Sequence, residues 1–234
     1  MSYKNKKILA VIPARGGSKG IKQKNIQPLS GIPLIGHVGM LVQSLSWLDY
    51  HVLSSDDLDI IRVGQQYDLN APFVRPDYLS GDKASSSDAW LHAWDESEKI
   101  TGEQFDLSIL LEPTSPMRCE ADLIGAIDLL LDESLSSVVT VSPTPAHYTP
   151  HKTLELKGNL LSFYLENGEQ YSIRQNIPDY CHRNGVCYVV TREQLFQKKA
   201  IIGKQCGGYM IERDLVNIDE PIDLAFAEFL MSND

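Results

Sequence analysis

Short apolar runs alternate with stretches of helical periodicity through the first 141 residues of this 234-residue chain. The segments Ile8 to Ile12, His51 to Ser54, Phe73 to Arg75, Leu107 to Leu111 and Val138 to Val141 read as strands. Pro33 to Leu45, Leu58 to Gln66, Asp88 to Lys99 and Ala121 to Leu131 read as helices, with Pro33 suited to a first turn and Asp56 and Asp57 as candidate caps for the second helix. Strand and helix in strict alternation require crossover connections. The rhythm therefore predicts an α/β fold, a three-layer α/β/α sandwich around a mostly parallel sheet.

The rhythm breaks at Pro143 to Pro150, a stretch rich in Pro, Thr and His. Lys-Thr-Leu-Glu-Leu, a Gly158-Asn159 turn and Leu-Leu-Ser-Phe-Tyr then predict a β-hairpin, so that residues of about 145 to 182 form an excursion from the sheet. Strand character returns at Val186 to Thr191, and Pro221 opens a last helix that runs to Met231. The length suits one domain spanning 1–234 with this insertion. Hydrophobic residues at 43% and charged residues at 22% exclude a disordered or collagen-like chain. Cys119, Cys181, Cys187 and Cys206 form no C-x-x-C pair and have no histidine at zinc-finger spacing, which predicts reduced thiols in a cytoplasmic protein. The apolar run before Pro13 is too short for a secretion signal or a membrane span.

Charge is unevenly placed. The formal net charge of −10 excludes a nucleic-acid coat, yet residues 1–48 hold seven basic side chains and no acidic one. The remainder carries a net charge of −17. An acid-free opening in an acidic chain points to a local anion site. It coincides with Pro13-Ala14-Arg15-Gly16-Gly17-Ser18-Lys19-Gly20 and the following Lys24-Asn25, at the end of the first predicted strand. Glycines let backbone N–H groups turn toward an anion, Ser18 adds a donor, Arg15 can fork across two phosphate oxygens, and Lys19 and Lys24 supply point charges. The chemistry suits a triphosphate. The alternative is a tight glycine-rich turn with solvated lysines. Walker A and dinucleotide-binding glycine patterns are absent. G-x-S-x-G does occur at residues 16–20, but too little chain precedes it to build a nucleophile elbow and its oxyanion loop.

This opening block resembles that of the acylneuraminate cytidylyltransferases, the CMP-sialic acid synthetases. Collinear matches follow in Leu53-Ser54-Ser55-Asp56, Arg75-Pro76 with Leu79 and Asp82, Ala84-Ser85-Ser86, Glu112-Pro113-Thr114-Ser115-Pro116-Met117-Arg118, Arg174-Gln175 with Pro178, Asn184-Gly185, and Ile218-Asp219. The resemblance implies that the anomeric hydroxyl of a nonulosonic acid attacks the α-phosphorus of CTP with Mg²⁺ assistance, giving a CMP-sugar and pyrophosphate. It implies catalytic roles for Arg15, Lys24 and Asp219, and nucleotide contacts for Ala14, Gly16, Gly17, Ser18, Lys19 and Asn25. Arg75 and Ala84 would lie near the cytosine and Ser86 near the ribose or phosphate. Read without the family, Arg75 is a strand-end arginine paired with Asp77 or Asp82.

Where the family holds Mg²⁺ with two aspartates spaced by one residue, this chain has Asn217 and Asp219. Asp219 alone also reads as an N-cap of the last helix. Glu112, Arg174 and the region of Asn184 match the sugar-acid side. Glu112 stands where members selective for N-acetylneuraminate often carry Gln, and His182 where they often carry Arg. A carboxylate only accepts hydrogen bonds, which favours a donor-rich acceptor such as a legionaminate-type acid. The bland alternative pairs Glu112 with Arg118. The excursion matches the family's dimerisation segment, which implies a homodimer with Lys152 near the neighbour's sugar site. Rival readings are activation of 3-deoxy-manno-octulosonate, whose enzymes usually depart from this opening loop, and a non-catalytic nucleotide-sugar-binding protein, suggested by Asn217.

Overall fold

A computed structural model describes residues 3–171 and 173–233. In chain order the elements are β1 (Ile8–Pro13), the short pair β2 (Pro28–Leu29) and β3 (Ile32–Pro33), α1 (Leu34–Ser44), β4 (Tyr50–Ser54), α2 (Leu58–Gln66), α3 (Ser86–Thr101), β5 (Leu107–Leu110) and α4 (Glu120–Asp132). There follow β6 (Ser137–Pro143), the hairpin β7 (Leu154–Lys157) and β8 (Leu160–Phe163), β9 (Cys181–Thr191), β10 (Cys206–Met210) and α5 (Pro221–Met231). The central sheet has the order β10-β6-β9-β5-β1-β4, in which β9 runs antiparallel to both neighbours and the other described pairs are parallel.

The unbroken apolar runs follow from burial on both faces. In β1, Ile8, Ala10 and Ile12 enter the core under α1, α2 and α4, while Leu9 and Val11 enter the opposite core with Trp90 and Trp94 of α3. Leu107 and Ile109 of β5 and Cys187 and Val189 of β9 extend the first cluster; Leu110, Tyr188 and Val190 extend the second. Each indole in α3 finds an acceptor, Trp90 at Ser108 Oγ (2.8 Å) and Trp94 at Glu98 Oε1 (3.0 Å), so these large side chains are buried without an orphaned N–H. A third cluster packs α5, through Ala227, against Ile21, Leu29, Leu34 and Ile218. It brings the end of the chain back to the loop after β1.

Two expectations need correction. Phe73 to Arg75 forms no strand: Arg75 N–H donates to Ser55 O at 2.8 Å, but Pro76 follows and no ladder develops beside β4. The sequence reading also overlooks β10, whose Cys-Gly-Gly-Tyr-Met has weak strand propensity. Gly207 is required there because a Cβ would meet Leu135 Cδ1 at 2.5 Å. The hairpin forms as expected, with Gly158 at φ +63° in its turn and Leu154, Leu156, Leu160 and Leu161 exposed.

Trp94 is fully buried between α3 and the sheet. Trp94→Ala is expected to cost about 3–5 kcal/mol of unfolding free energy, read as a lower urea midpoint at unchanged slope.

Candidate active site

The chain leaves β1 first toward β4 and later toward β5 on its other side, so a crevice opens at the carboxyl ends of these strands. Three loops fill its rim. The one after β1 is tied down by its own polar groups: Ala14 N–H donates to Ser54 O (3.0 Å), and buried Asn25 donates from Nδ2 to Arg15 O (3.0 Å). Gly16 N–H donates to Asp56 Oδ1 (3.1 Å), and a Cβ on Gly16 would meet Asp57 Oδ2 at 2.6 Å. Of the two candidate caps, Asp57 takes the N-terminal amides of α2, at Asp59 (2.8 Å) and Ile60 (3.1 Å). Asp56 turns toward the glycine loop instead.

A cavity of about 280 Å³ lies within this rim, lined by Arg15, Ser18, Lys24, Asn25, Arg75, Ala84, Ser86 and Glu112, among others. Eight of the residues singled out in the sequence thus meet in one place. Asp82, also in the wall, holds two of the loop's cations, with Oδ1 3.2 Å from Arg15 Nη1 and Oδ2 2.8 Å from Lys19 Nζ. The Lys19 hydrogen bond keeps the Asp82 carboxyl below the usual range. Lys24 sits in a 3-10 turn, Lys24–Ile26, and its nearly buried ammonium donates to Ile218 O (2.9 Å) and Asp219 Oδ1 (2.7 Å). Gly20 allows this closure, since a Cβ there would lie 2.2 Å from the Asp219 carbonyl oxygen.

Arg75 is 4% exposed, and burial lowers its pKa. It pairs with neither Asp77 nor Asp82. Its Nη2 stands 3.5 Å from Asp56 Oδ1, and neither Nε nor Nη2 has a hydrogen-bond partner among the described residues. Arg75 is part of the cavity wall, and a buried guanidinium with two nitrogens lacking hydrogen bonds is an expensive arrangement.

Glu112 is likewise not paired in the way its neighbours suggest. Arg118 donates to the Glu112 carbonyl, to Val186 O (2.8 Å) and to Gly185 O (3.5 Å), and leaves the Glu112 carboxylate alone. Burial raises the Glu112 pKa, with Arg118 and Lys24 acting against it. Asp219 does not cap α5: Glu220 is the N-cap, and the Asp219 and Glu220 amides donate to Asp223 Oδ2 at 2.8 and 2.7 Å.

A second cavity, of about 380 Å³, includes Asn217, whose neighbour Ile218 donates its N–H to Thr114 O, in the wall of the first cavity, at 2.8 Å. Its wall includes His182, Arg183, Asn184, Arg213 and Asn217. Asn184 spends much of its amide internally, donating to Ser142 Oγ (3.1 Å) and accepting from Val186 N–H (3.1 Å). Asn217 and Asp219 are exposed on either side of buried Ile218, Asn217 in the wall of the second cavity and Asp219 on Lys24 of the first. Among the described residues no group of three His, Cys, Asp or Glu could hold a metal ion by itself. One carboxylate and a carboxamide nonetheless suit Mg²⁺, which takes one or two protein oxygens and completes its octahedron with phosphate and water.

Ala14, Gly16, Gly17 and Lys19 shape or back the glycine loop without lining the first cavity, and Lys152 lies in a 3-10 turn, Pro150–Lys152, away from it. Arg174 begins the turn Arg174–Asn176, and its side chain lies outside the described residues. Sequence reasoning misses Arg118 and Arg213 as parts of the site; the signal on offer is the position of Arg118 in the Glu112–Arg118 block.

The cytidylyltransferase family model matches residues 9–110. The pseudaminic acid cytidylyltransferase of Campylobacter jejuni is 32% identical over 225 residues, covering 96% of both chains. The chain belongs to the acylneuraminate cytidylyltransferase family. Another relative at nearly full length is the CMP-N,N'-diacetyllegionaminic acid synthase of Legionella pneumophila, 29% identical over 96% of each chain. Among solved structures, CMP:2-keto-3-deoxy-manno-octonic acid synthetase complexed with CTP superposes with a TM-score of 0.71 over 97% of this chain and 99% of its own, at 18% identity, and so shares the fold. In a cytidylyltransferase the Lys24–Asp219 contact joins the two ends of the sequence at the site, with Gly20 between. Gly20→Ala is expected to push them apart and reduce turnover about 100-fold with little change in circular dichroism, since a misplacement near 1 Å carries a cost of this order.

Proposed function

We propose that the enzyme couples CTP to the anomeric hydroxyl of a nonulosonic acid, releasing pyrophosphate. The observation that carries this reading is a single cavity combining an anchored glycine loop, the cations Arg15 and Lys24, and the unpartnered donors of buried Arg75. Arg75 donors match the acceptor edge of cytosine, with Ala84 leaving room for the ring and Ser86 reaching the ribose or phosphate. Ser18 and the amides of the glycine loop cradle the triphosphate, while Lys19 and Arg15 exchange Asp82 for phosphate oxygens. Nucleotidyl transfer asks mainly for in-line placement and neutralisation of charge on the departing pyrophosphate, the work of Arg15 and Lys24. Asp219, with support from Asn217, would hold Mg²⁺, which would supply further neutralisation of the triphosphate. Arg174 is the proposed partner for a substrate carboxylate.

The acceptor occupies the second cavity, with Glu112 between the two. Its unpaired carboxylate favours an acceptor presenting hydroxyl or amide donors at this point, and the relatives named for pseudaminic and legionaminic acids support a variant nonulosonate over N-acetylneuraminate. The exposed leucines of β7 and β8 support a homodimer in which this hairpin meets the partner and brings Lys152 toward its sugar site. A reaction that consumes CTP fits the cytoplasm. Among the described residues no helix is long and apolar enough to cross a membrane.

Pyrophosphate release with CTP, Mg²⁺ and a panel of nonulosonic acids is expected, highest with a legionaminate- or pseudaminate-type acceptor. Higher turnover with N-acetylneuraminate than with every variant would reverse the acceptor assignment, and a preference for 3-deoxy-manno-octulosonate would reverse the substrate class. CTP binding without any release would identify a binding protein. Lys24→Ala should lower kcat by about 100- to 1,000-fold while leaving the CTP dissociation constant within a few-fold, the mark of a charge used in the transition state. Light scattering at micromolar concentration should give twice the 26.2 kDa chain mass, and a monomer contradicts the dimer.

A further inference from the structure

One side chain outside the roles described so far bonds Glu112, in the wall of the first cavity, to the residues that follow Asn184, in the wall of the second. Arg118 is 7% exposed and forms no ion pair with a carboxylate among the described residues. Its guanidinium instead collects three carbonyls on two separate segments: Glu112, just past the end of β5, and Gly185 and Val186, within β9. Those carbonyls are available for a stated reason. The β6–β9 ladder slips between Val139 and Val141, pairing Val139 with Tyr188 and Val141 with Arg183, so the residues between on β9 bulge out of register. Gly185 turns through φ +75°, and a Cβ there would strike Ser115 Oγ at 2.7 Å. Thr140 Oγ1 takes up part of the slack by donating to Cys187 O (2.9 Å) and accepting from Cys187 N–H (3.0 Å). Arg118 takes up the rest.

A neutral donor would satisfy these carbonyls at a smaller desolvation cost than a buried cation. Burial pushes the Arg118 pKa down to about 10, so the group still carries its charge at neutral pH. Glu112 and Asp122 both favour that charge, against its burial. Asp122 accepts from Arg213 Nη1 at 2.7 Å, and Arg213 is in the wall of the second cavity; Glu112 faces Lys24 in the first.

We infer that Arg118 is a positioning residue for nucleotidyl transfer: by bonding Glu112 to the Gly185–Val186 bulge it sets the distance between the nucleotide cavity and the acceptor cavity. The inference rests on the reaction proposed above. Arg118 bonds to the Glu112 backbone and to β9 rather than to the nucleotide loop after β1, so its loss should disturb alignment of the acceptor hydroxyl with the α-phosphorus more than it disturbs CTP binding.

The test compares Arg118→Lys and Arg118→Ala with the wild type, assaying pyrophosphate release on the best acceptor and CTP binding by calorimetry. Lys keeps the charge but has one nitrogen on a flexible stem, so it loses the separate Nε bond to Val186 O and the planar fork that fixes the geometry of the bridge. For Arg118→Lys we expect kcat/KM for the acceptor to fall at least 30-fold and the CTP dissociation constant to stay within twofold. In Arg118→Ala, methylguanidinium at millimolar concentration should restore part of the acceptor kcat/KM. A lower melting temperature with kcat and acceptor KM within twofold of wild type would reduce Arg118 to a structural role, and a CTP affinity falling in step with the acceptor would likewise overturn the inference. If Arg118→Ala does not fold, Arg118→Lys decides alone. Failure of the wild type to release pyrophosphate with any nonulosonic acid is a different result, which removes the proposed reaction itself.

Discussion

Burial of β1 on both faces, with β4 on one edge and β5 on the other, is the constraint from which the site follows. A strand so placed has no solvent face, so its sequence is apolar throughout and its polar work begins only where it ends. Pro13 closes the strand and the glycine loop begins at once. Because the connections diverge on either side of β1, the loops after β1, β4 and β5 face one crevice, and Arg15, Asp56 and Glu112 arrive there without any long-range signal in the sequence.

Cations in this crevice are held by acids of the same protein. Asp82 occupies Arg15 and Lys19, Asp219 occupies Lys24, and Asp56 stands beside Arg75. The pairs at Asp82 are exposed and contribute little to stability, so they can be broken at small cost. The same acids account for a chain that is acidic overall yet receives two anionic substrates. Excess negative charge lies on the remaining surface, and the local balance is set by the acid-free opening of the sequence.

Much of this architecture is legible in the order of residue types. The βαβ rhythm predicts the layers, and α2 and α5 begin and end where capping residues and Pro221 suggest. The glycine loop announces an anion site, since glycine density and cations are local features. Phe73 to Arg75 misleads because propensity cannot tell an extended segment from a paired strand, and β10 is invisible because its two glycines have weak strand propensity, Gly207 sitting close against Leu135. The pairing of Glu112 with Arg118, plausible from sequence, fails since β9 offers that guanidinium carbonyls freed by a bulge.

What the sequence alone determined is therefore the periodic and the local: element types, the excursion at the hairpin, and the chemistry of the loop after β1. Only the tertiary structure decided which groups meet. Lys24 and Asp219 lie 195 residues apart and are joined because α5 folds back onto Ile21 and Leu34. Arg75 keeps two nitrogens without hydrogen bonds among the described residues, one of them 3.5 Å from Asp56 Oδ1 on the loop after β4. Arg118 reaches across 68 residues to a bulge whose freed carbonyls exist only once β6 and β9 are in register. Local propensity acts over a few residues, whereas hydrogen bonding between distant segments is set by how a buried sheet orders its strands.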